Sequence, residues 1–160
     1  MNRLYIREAT PGDVPLILRF VRELAEYERA LAEVTATEEM LLQTLFGSGA
    51  KAHCLICEQG EEAIGFALYF YNFSTWQGKY GIYLEDLYIS PEYRGIGAGT
   101  ALLQHIAKIA VAQGCGRFEW SVLDWNEPSI RFYESFGAQA MSEWIGYRLS
   151  GEALRNFAAG

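Results

Sequence analysis

An α+β fold, with helices packed around a mixed, mostly antiparallel sheet of six to seven strands, is what this 160-residue sequence predicts. Three observations predict it. Runs of strand character lie at residues 4–8, 52–59, 63–73 and 81–89, and the last three follow one another as a meander does. Two segments, starting near residues 10 and 97, carry apolar residues at helical spacing. A strand–helix–strand order between residues 84 and 122 requires a crossover, which sets strand 117–122 parallel to strand 84–89.

Taken in order, Leu4–Glu8 alternates as a first strand. Thr10-Pro11-Gly12-Asp13 opens a helix, with Thr10 as N-cap and Pro11 at the first helical position. Val14, Ile17, Leu18, Val21, Leu24 and Ala25 form its apolar stripe, which carries it to about Glu28. A second helix spans residues 37–46 and stops at Gly47-Ser48-Gly49. Strands 52–59 and 63–73 flank the hairpin turn Gly60-Glu61-Glu62, and strand 81–89 follows a longer connection. A helix over 97–113 buries Leu102, Leu103, Ile106, Ile109 and Ala110. Asn126-Glu127-Pro128-Ser129 opens a short helix ending near Phe136, with Phe132 and Phe136 as core. Residues 138–148 supply one or two closing strands, and a terminal helix follows Ser150. The length suits one domain over 1–160.

The net charge of −7 argues against a nucleic-acid partner and is compatible with a cationic substrate. MNRLYIREAT lacks the apolar core of a secretion signal, and no run reaches membrane-spanning length. The expectation is a soluble cytoplasmic protein with no membrane partner. Cys54 and Cys57 sit three apart on a strand, so they point to opposite faces, and no second cysteine pair completes a zinc site. With Cys115 they read as small buried hydrophobes in a reducing compartment, and no metal is expected.

The chemistry gathers at LEDLYISPEYRGIGAGTALL, residues 84–103. A glycine-rich turn running into a helix start presents unpaired N–H groups at the positive end of the helix dipole, a site for phosphate. Arg94-Gly95-Ile96-Gly97-Ala98-Gly99 misses the dinucleotide fingerprint by one residue and lacks the Gly-Lys-Ser/Thr of a Walker loop. Just upstream, Glu85 and Asp86 interrupt an apolar strand, where unpartnered burial is expensive. A bulge there would turn a carboxylate toward a cleft, and Glu85 is the one expected to face a substrate.

Arg-x-x-Gly-x-Gly between a strand and a helix resembles the coenzyme A loop of the GNAT superfamily of N-acetyltransferases. The runs IREAT, ELAEYE, HCLI, YLED, YRGIGAGT and WNEPSIRFYESFGA extend the resemblance over nearly the whole chain. They are similar to the diamine (spermidine/spermine) and thialysine acetyltransferases in particular. The resemblance implies a splayed central parallel pair of strands with pantetheine in the gap. Acetyl-coenzyme A, a co-substrate, is then expected against Leu87, Tyr88, Ile89, Arg94, Gly95, Ile96, Gly97, Ala98, Gly99, Thr100, Asn126, Ser129 and Tyr133. Tyr133 is implied as the acid that protonates the departing thiolate. Glu85 is the catalytic carboxylate expected to face the amine, directly or through water, and the sequence leaves the formal base open. Tyr27, Glu28, Trp76, Glu85 and Asp86 are implied in binding the small-molecule amine.

Each residue has a plainer alternative that the sequence leaves open. Tyr133 can be a core aromatic, Asn126 a helix cap, Glu28 an exposed helix end and Trp76 a loop anchor. Ser74 and Ile145 stand where diamine enzymes carry acidic residues, which favours a smaller amine such as a thialysine-like amino acid. A homodimer is implied by the resemblance, with the C-terminal strands as interface. Two competing readings are a non-catalytic acyl-coenzyme A sensor and an enzyme acting on protein amines.

Overall fold

A computed structural model describes residues 3–160, which divide into two compact units, residues 3–121 and 122–160. In the first, β1 (Leu4–Glu8), β2 (Ala52–Gln59), β3 (Glu62–Ser74), β4 (Lys79–Ile89) and β5 (Phe118–Trp120) form one sheet in sequence order. The first four strands pair antiparallel, and β5 joins β4 in parallel through the predicted crossover. The β2–β3 connection tightens to Gly60-Glu61, with Gly60 at φ 63°, the left-handed conformation a two-residue hairpin turn calls for. The longer connection expected before β4 is likewise a short turn, because β3 and β4 stay paired as far as Ser74 and Lys79.

The first helix begins later than its sequence suggests. Residues 11–13 form a 3₁₀ turn, and α1 covers Val14–Tyr27. Asp13 explains the start: its carboxylate accepts the Thr10 N–H at 2.7 Å and both Nη groups of Arg7 at 2.7 and 2.9 Å. The Arg7 bonds hold the Asp13 carboxyl down to about 2. At the other end, Arg29 N–H donates to Glu26 O and Ala30 N–H to Ala25 O, a Schellman closure. Arg29 takes the left-handed position, φ 63°, that glycine usually fills. Thr37 caps α2 (Glu38–Phe46) by accepting the Met40 N–H at 3.2 Å.

One face of the sheet packs Cys54, Ile56, Phe66 and Tyr88 against Ile17 and Phe20 of α1. The alternate residues Leu55, Ala67 and Leu84 are buried on the opposite face, where α3 (Ala98–Ala112) packs with Leu102, Leu103 and Ile106. Cys54 and Cys57 are free and buried as expected, and burial pushes their thiols up to about 12 and 11.

The second unit contains α4 (Glu127–Ser135) and α5 (Gly151–Ala158). Here one expectation fails: the segment 138–148 forms no strand, so the sheet has five strands among the described residues rather than six to seven. An extended run becomes a strand only when a neighbour completes its ladder. Among the described residues the segment is assigned to no ladder, and Met141, Trp144, Ile145 and Tyr147 are exposed. Phe136 is also exposed rather than core, at 49%. Among the described residues no helix is long and apolar enough to cross a membrane.

Candidate active site

The site is built around a defect in β4. Leu84 pairs with Tyr69 and Asp86 with Leu68, so two residues on β4 advance against one on β3 and Glu85 is the extra residue. A bulge reverses the facing of everything beyond it. Leu84 faces the α3 side, and without the bulge Asp86 would do the same. Instead Asp86 shares the α1 side with Leu68, Cys54 and Tyr88. Burial pushes its carboxyl up to about 6, assisted by the charges of Glu85 and then Glu28. Glu28, at the C-cap of α1, is itself raised by burial. Glu28, Glu85 and Asp86 therefore form one acidic group, with Tyr27 in the last turn of α1 beside it.

The bulge coincides with the end of the parallel pairing. β5 reaches Leu84 through Trp120 and stops, so no described strand pairs the far edge of β4 over residues 85–89. Ser90 N–H donates toward β3, to Ile64 O at 2.8 Å. Backbone groups alternate along a strand, so Asp86 and Tyr88 also point to β3, whereas Leu87 and Ile89 point into the gap. That edge can take an extended ligand carrying amides, as in strand addition. Tyr88 does not contribute to it: its ring is buried, and its hydroxyl donates to Glu23 Oε1 at 2.9 Å.

Beyond β4, a 3₁₀ turn at Pro91–Tyr93 leads into the glycine loop. Gly95 and Gly97 adopt φ 83° and 87°, and Gly97 is the N-cap of α3. A side chain at either position would meet open space, so backbone conformation is what demands glycine there. Gly99 lies inside the first turn of α3. The first α-helical bond runs from Ala101 N–H to Gly97 O, so Ala98, Gly99 and Thr100 have no intrahelical acceptor. These amides and the exposed backbone of Gly95 and Ile96 form an open anion cradle.

Arg94 joins the cradle to the acidic group. Its Nε donates to Ile89 O at 3.0 Å, and its guanidinium lies 5.3 Å from the Tyr27 ring and 5.6 Å from the Tyr88 ring. Sequence reasoning placed Arg94 at the loop but missed these contacts, along with the support Glu23 gives Tyr88. Nothing in the order of residues signals them, because α1 and the loop are more than 60 positions apart.

The remaining candidates are on the β3–β4 hairpin and in the second unit. Trp76, 90% exposed, is at the tip of the β3–β4 hairpin. Ser74 lies five positions along β3 from the bulge partner Tyr69, roughly 17 Å of strand. Ser74 is buried, and its Oγ accepts the Gln77 N–H at 3.2 Å, so it builds the hairpin turn. In the second unit, Asn126 is the buried N-cap of α4, and Ser129 and Tyr133 lie within that helix. Tyr133 packs against Phe132 and Phe136, with ring centroids 5.6 and 6.4 Å away. Ile145 is 81% exposed.

Residues 18–138 match the acetyltransferase (GNAT) family. The chain is 41% identical to a thialysine N-epsilon-acetyltransferase of Sus scrofa, with 99% of each chain covered. It is 36% identical to the spermidine/spermine N(1)-acetyltransferase-like protein 1 of Homo sapiens, over 99% of this chain and 24% of that one. Among solved structures, an integron cassette protein from the mobile metagenome of V. cholerae matches with a TM-score of 0.82 at 26% identity, covering 98% of both chains.

Proposed function

The chain belongs to the acetyltransferase (GNAT) family, and from that premise we propose that it moves an acetyl group from acetyl-coenzyme A to a primary amine of a small molecule by direct attack. The observation that carries this reading is the bulge at Glu85, which sets an acidic group beside an edge of β4 that no described strand pairs. The cradle fits the co-substrate: amides from Gly95 to Thr100 suit a pyrophosphate, and the backbone of Leu87 and Ile89 suits the two amides of pantetheine. When bound, acetyl-coenzyme A supplies the activated acyl group as a thioester.

The acidic group answers the problem of the amine. An alkylammonium with a pKa near 10.4 is less than about 0.1% neutral at pH 7, and freeing it costs about 4–5 kcal/mol. Glu28, Glu85 and Asp86 hold the cation. Asp86, with its carboxyl raised to about 6, is the better matched of the carboxylates to take up the proton, directly or through water. Tyr133 holds the proton for the departing thiolate, the role implied by the matched WNEPSIRFY motif. Tyr133→Phe should retain the fold and lower kcat about a hundredfold in a coenzyme A release assay. Near-wild-type turnover would return Tyr133 to packing.

The substrate is a short amine, with a thialysine-like amino acid ahead of long polyamines. Ser74 is committed to a turn and Ile145 is apolar, which leaves fewer carboxylates for a second ammonium. We further take the protein to act as one domain over 1–160, because the family match runs through both units. It acts in the cytoplasm as a homodimer, without nucleic acid. Coenzyme A release measured across thialysine, diamines, spermidine and an aminoglycoside tests the reading. The highest kcat/KM is expected with thialysine. Tight acetyl-coenzyme A binding without turnover of any amine would make the chain a sensor, and turnover of peptide amines alone would make it a protein acetyltransferase.

A further inference from the structure

Arg94 is the residue of the glycine loop whose side chain leaves the loop. Its Nε is engaged by the carbonyl of Ile89, the last residue of the edge that no described strand pairs. Its guanidinium lies near the ring of Tyr27, one residue before Glu28, and near the ring of Tyr88. Tyr88 is fixed from behind, since its hydroxyl donates to Glu23, which pairs with Arg19 at 3.1 Å. One planar cation thus spans the end of β4, a buried ring and the last turn of α1. A lysine could not make these contacts together, because an ammonium has no plane to lay against a ring and no fixed fork of donors.

We propose that Arg94 is a positioning residue that ties the coenzyme edge of β4 to the amine end of α1. The Ile89 carbonyl and the Tyr27 ring are held by one guanidinium, so disturbing either end shifts the other. This rests on the acetyltransferase reading above and goes beyond phosphate binding, the simpler role for an arginine in such a loop. Phosphate binding predicts dependence on the nucleotide portion of the donor. A tie predicts dependence on its pantetheine arm and on Tyr27.

S-Acetylpantetheine, which keeps the thioester and both amides but lacks the pyrophosphate, separates the two. Arg94→Ala should lower kcat/KM by roughly tenfold with acetyl-coenzyme A and with S-acetylpantetheine alike, and Arg94→Lys should not restore it. A loss confined to acetyl-coenzyme A would make Arg94 a phosphate ligand and overturn the proposal. The second measurement needs no turnover. Calorimetric titration of coenzyme A without amine should show roughly fivefold weaker binding to Tyr27→Leu and wild-type affinity in Tyr27→Phe, which keeps the ring. Unchanged affinity in Tyr27→Leu would overturn the tie. Tyr27 is 40% exposed, so both variants should fold. If the wild type acetylates no amine, the acetyltransferase reading fails, and the titration still decides the tie.

Discussion

The two halves of β4 share a neighbour on one side and differ on the other. From Lys79 to Leu84 the strand pairs with β3, and its last three residues also pair with β5. Beyond the bulge at Glu85, residues 86–89 pair with β3 and with no other described strand. The first half is ordinary core: Ile82 is fully buried and Leu84 nearly so, under α3. The second half opens with two carboxylates and ends in a carbonyl held by an arginine. The comparison teaches that a sheet offers an open edge where pairing stops. Backbone groups that would otherwise close a ladder become available, and a bulge at the same place re-aims the side chains.

Removing the charge from the open half should have the largest effect. Asp86→Asn is expected to lower kcat/KM by about a hundred- to a thousandfold, the span of a lost proton acceptor. The same variant should gain stability at neutral pH. Asp86 is raised from 3.8 to about 6 on folding, so the native state binds the proton more tightly than the unfolded chain. Its contribution to stability is therefore greatest below about pH 4, falls as pH rises toward 6, and is flat above that. At pH 7 the penalty amounts to about 3 kcal/mol, which Asp86→Asn removes. Urea titrations at pH 4 and pH 7 check this: the gap between variant and wild type should widen with pH. A constant gap would mean that Asp86 is not strained by burial.

In the paired half, Ile82→Ala should cost about 2–5 kcal/mol in urea unfolding through loss of buried contacts. It should leave the KM for acetyl-coenzyme A unchanged at a temperature where the variant is folded. A raised KM would blur the division between the halves. Beyond the open half, Gly97→Ala adds a methyl into open space but forces alanine to φ 87°. The cost is about 1–2 kcal/mol, and acetyl-coenzyme A should bind about tenfold more weakly as the cradle shifts. Calorimetry with wild-type affinity would show that the cradle does not depend on this turn. The smallest effect is expected at the hairpin tip, where Ser74→Ala loses one turn hydrogen bond worth about 1 kcal/mol. A lowered Tm with unaltered kcat/KM would assign Ser74 to the fold, whereas a changed amine preference would bring the tip into the site.

The meander, the crossover and the glycine loop were legible because each rests on local rules. Gly60 marks a turn by its own backbone freedom, the stripe of α3 by its spacing, and Gly97 by the left-handed cap it permits. Glu85 and Asp86 stood out as carboxylates in an apolar strand, and a bulge was the expected remedy. Which residue it displaced was not legible, since that depends on the register against Leu68 and Tyr69. The closing strands read from residues 138–148 show the opposite error. Extended character was visible, but a ladder needs a partner, and among the described residues the segment is assigned to none.

By itself the sequence determined the order of elements, the glycine loop and the family, because short-range conformation and motif spacing are carried by neighbouring residues. Only the tertiary structure decided that β5 ends opposite Leu84, that Asp86 turns to the α1 side, and that Arg94 reaches Tyr27. The physical reason is common to all three. Pairing, burial and ring contacts are made between segments far apart in the chain, and their geometry is fixed only when the sheet has closed around them.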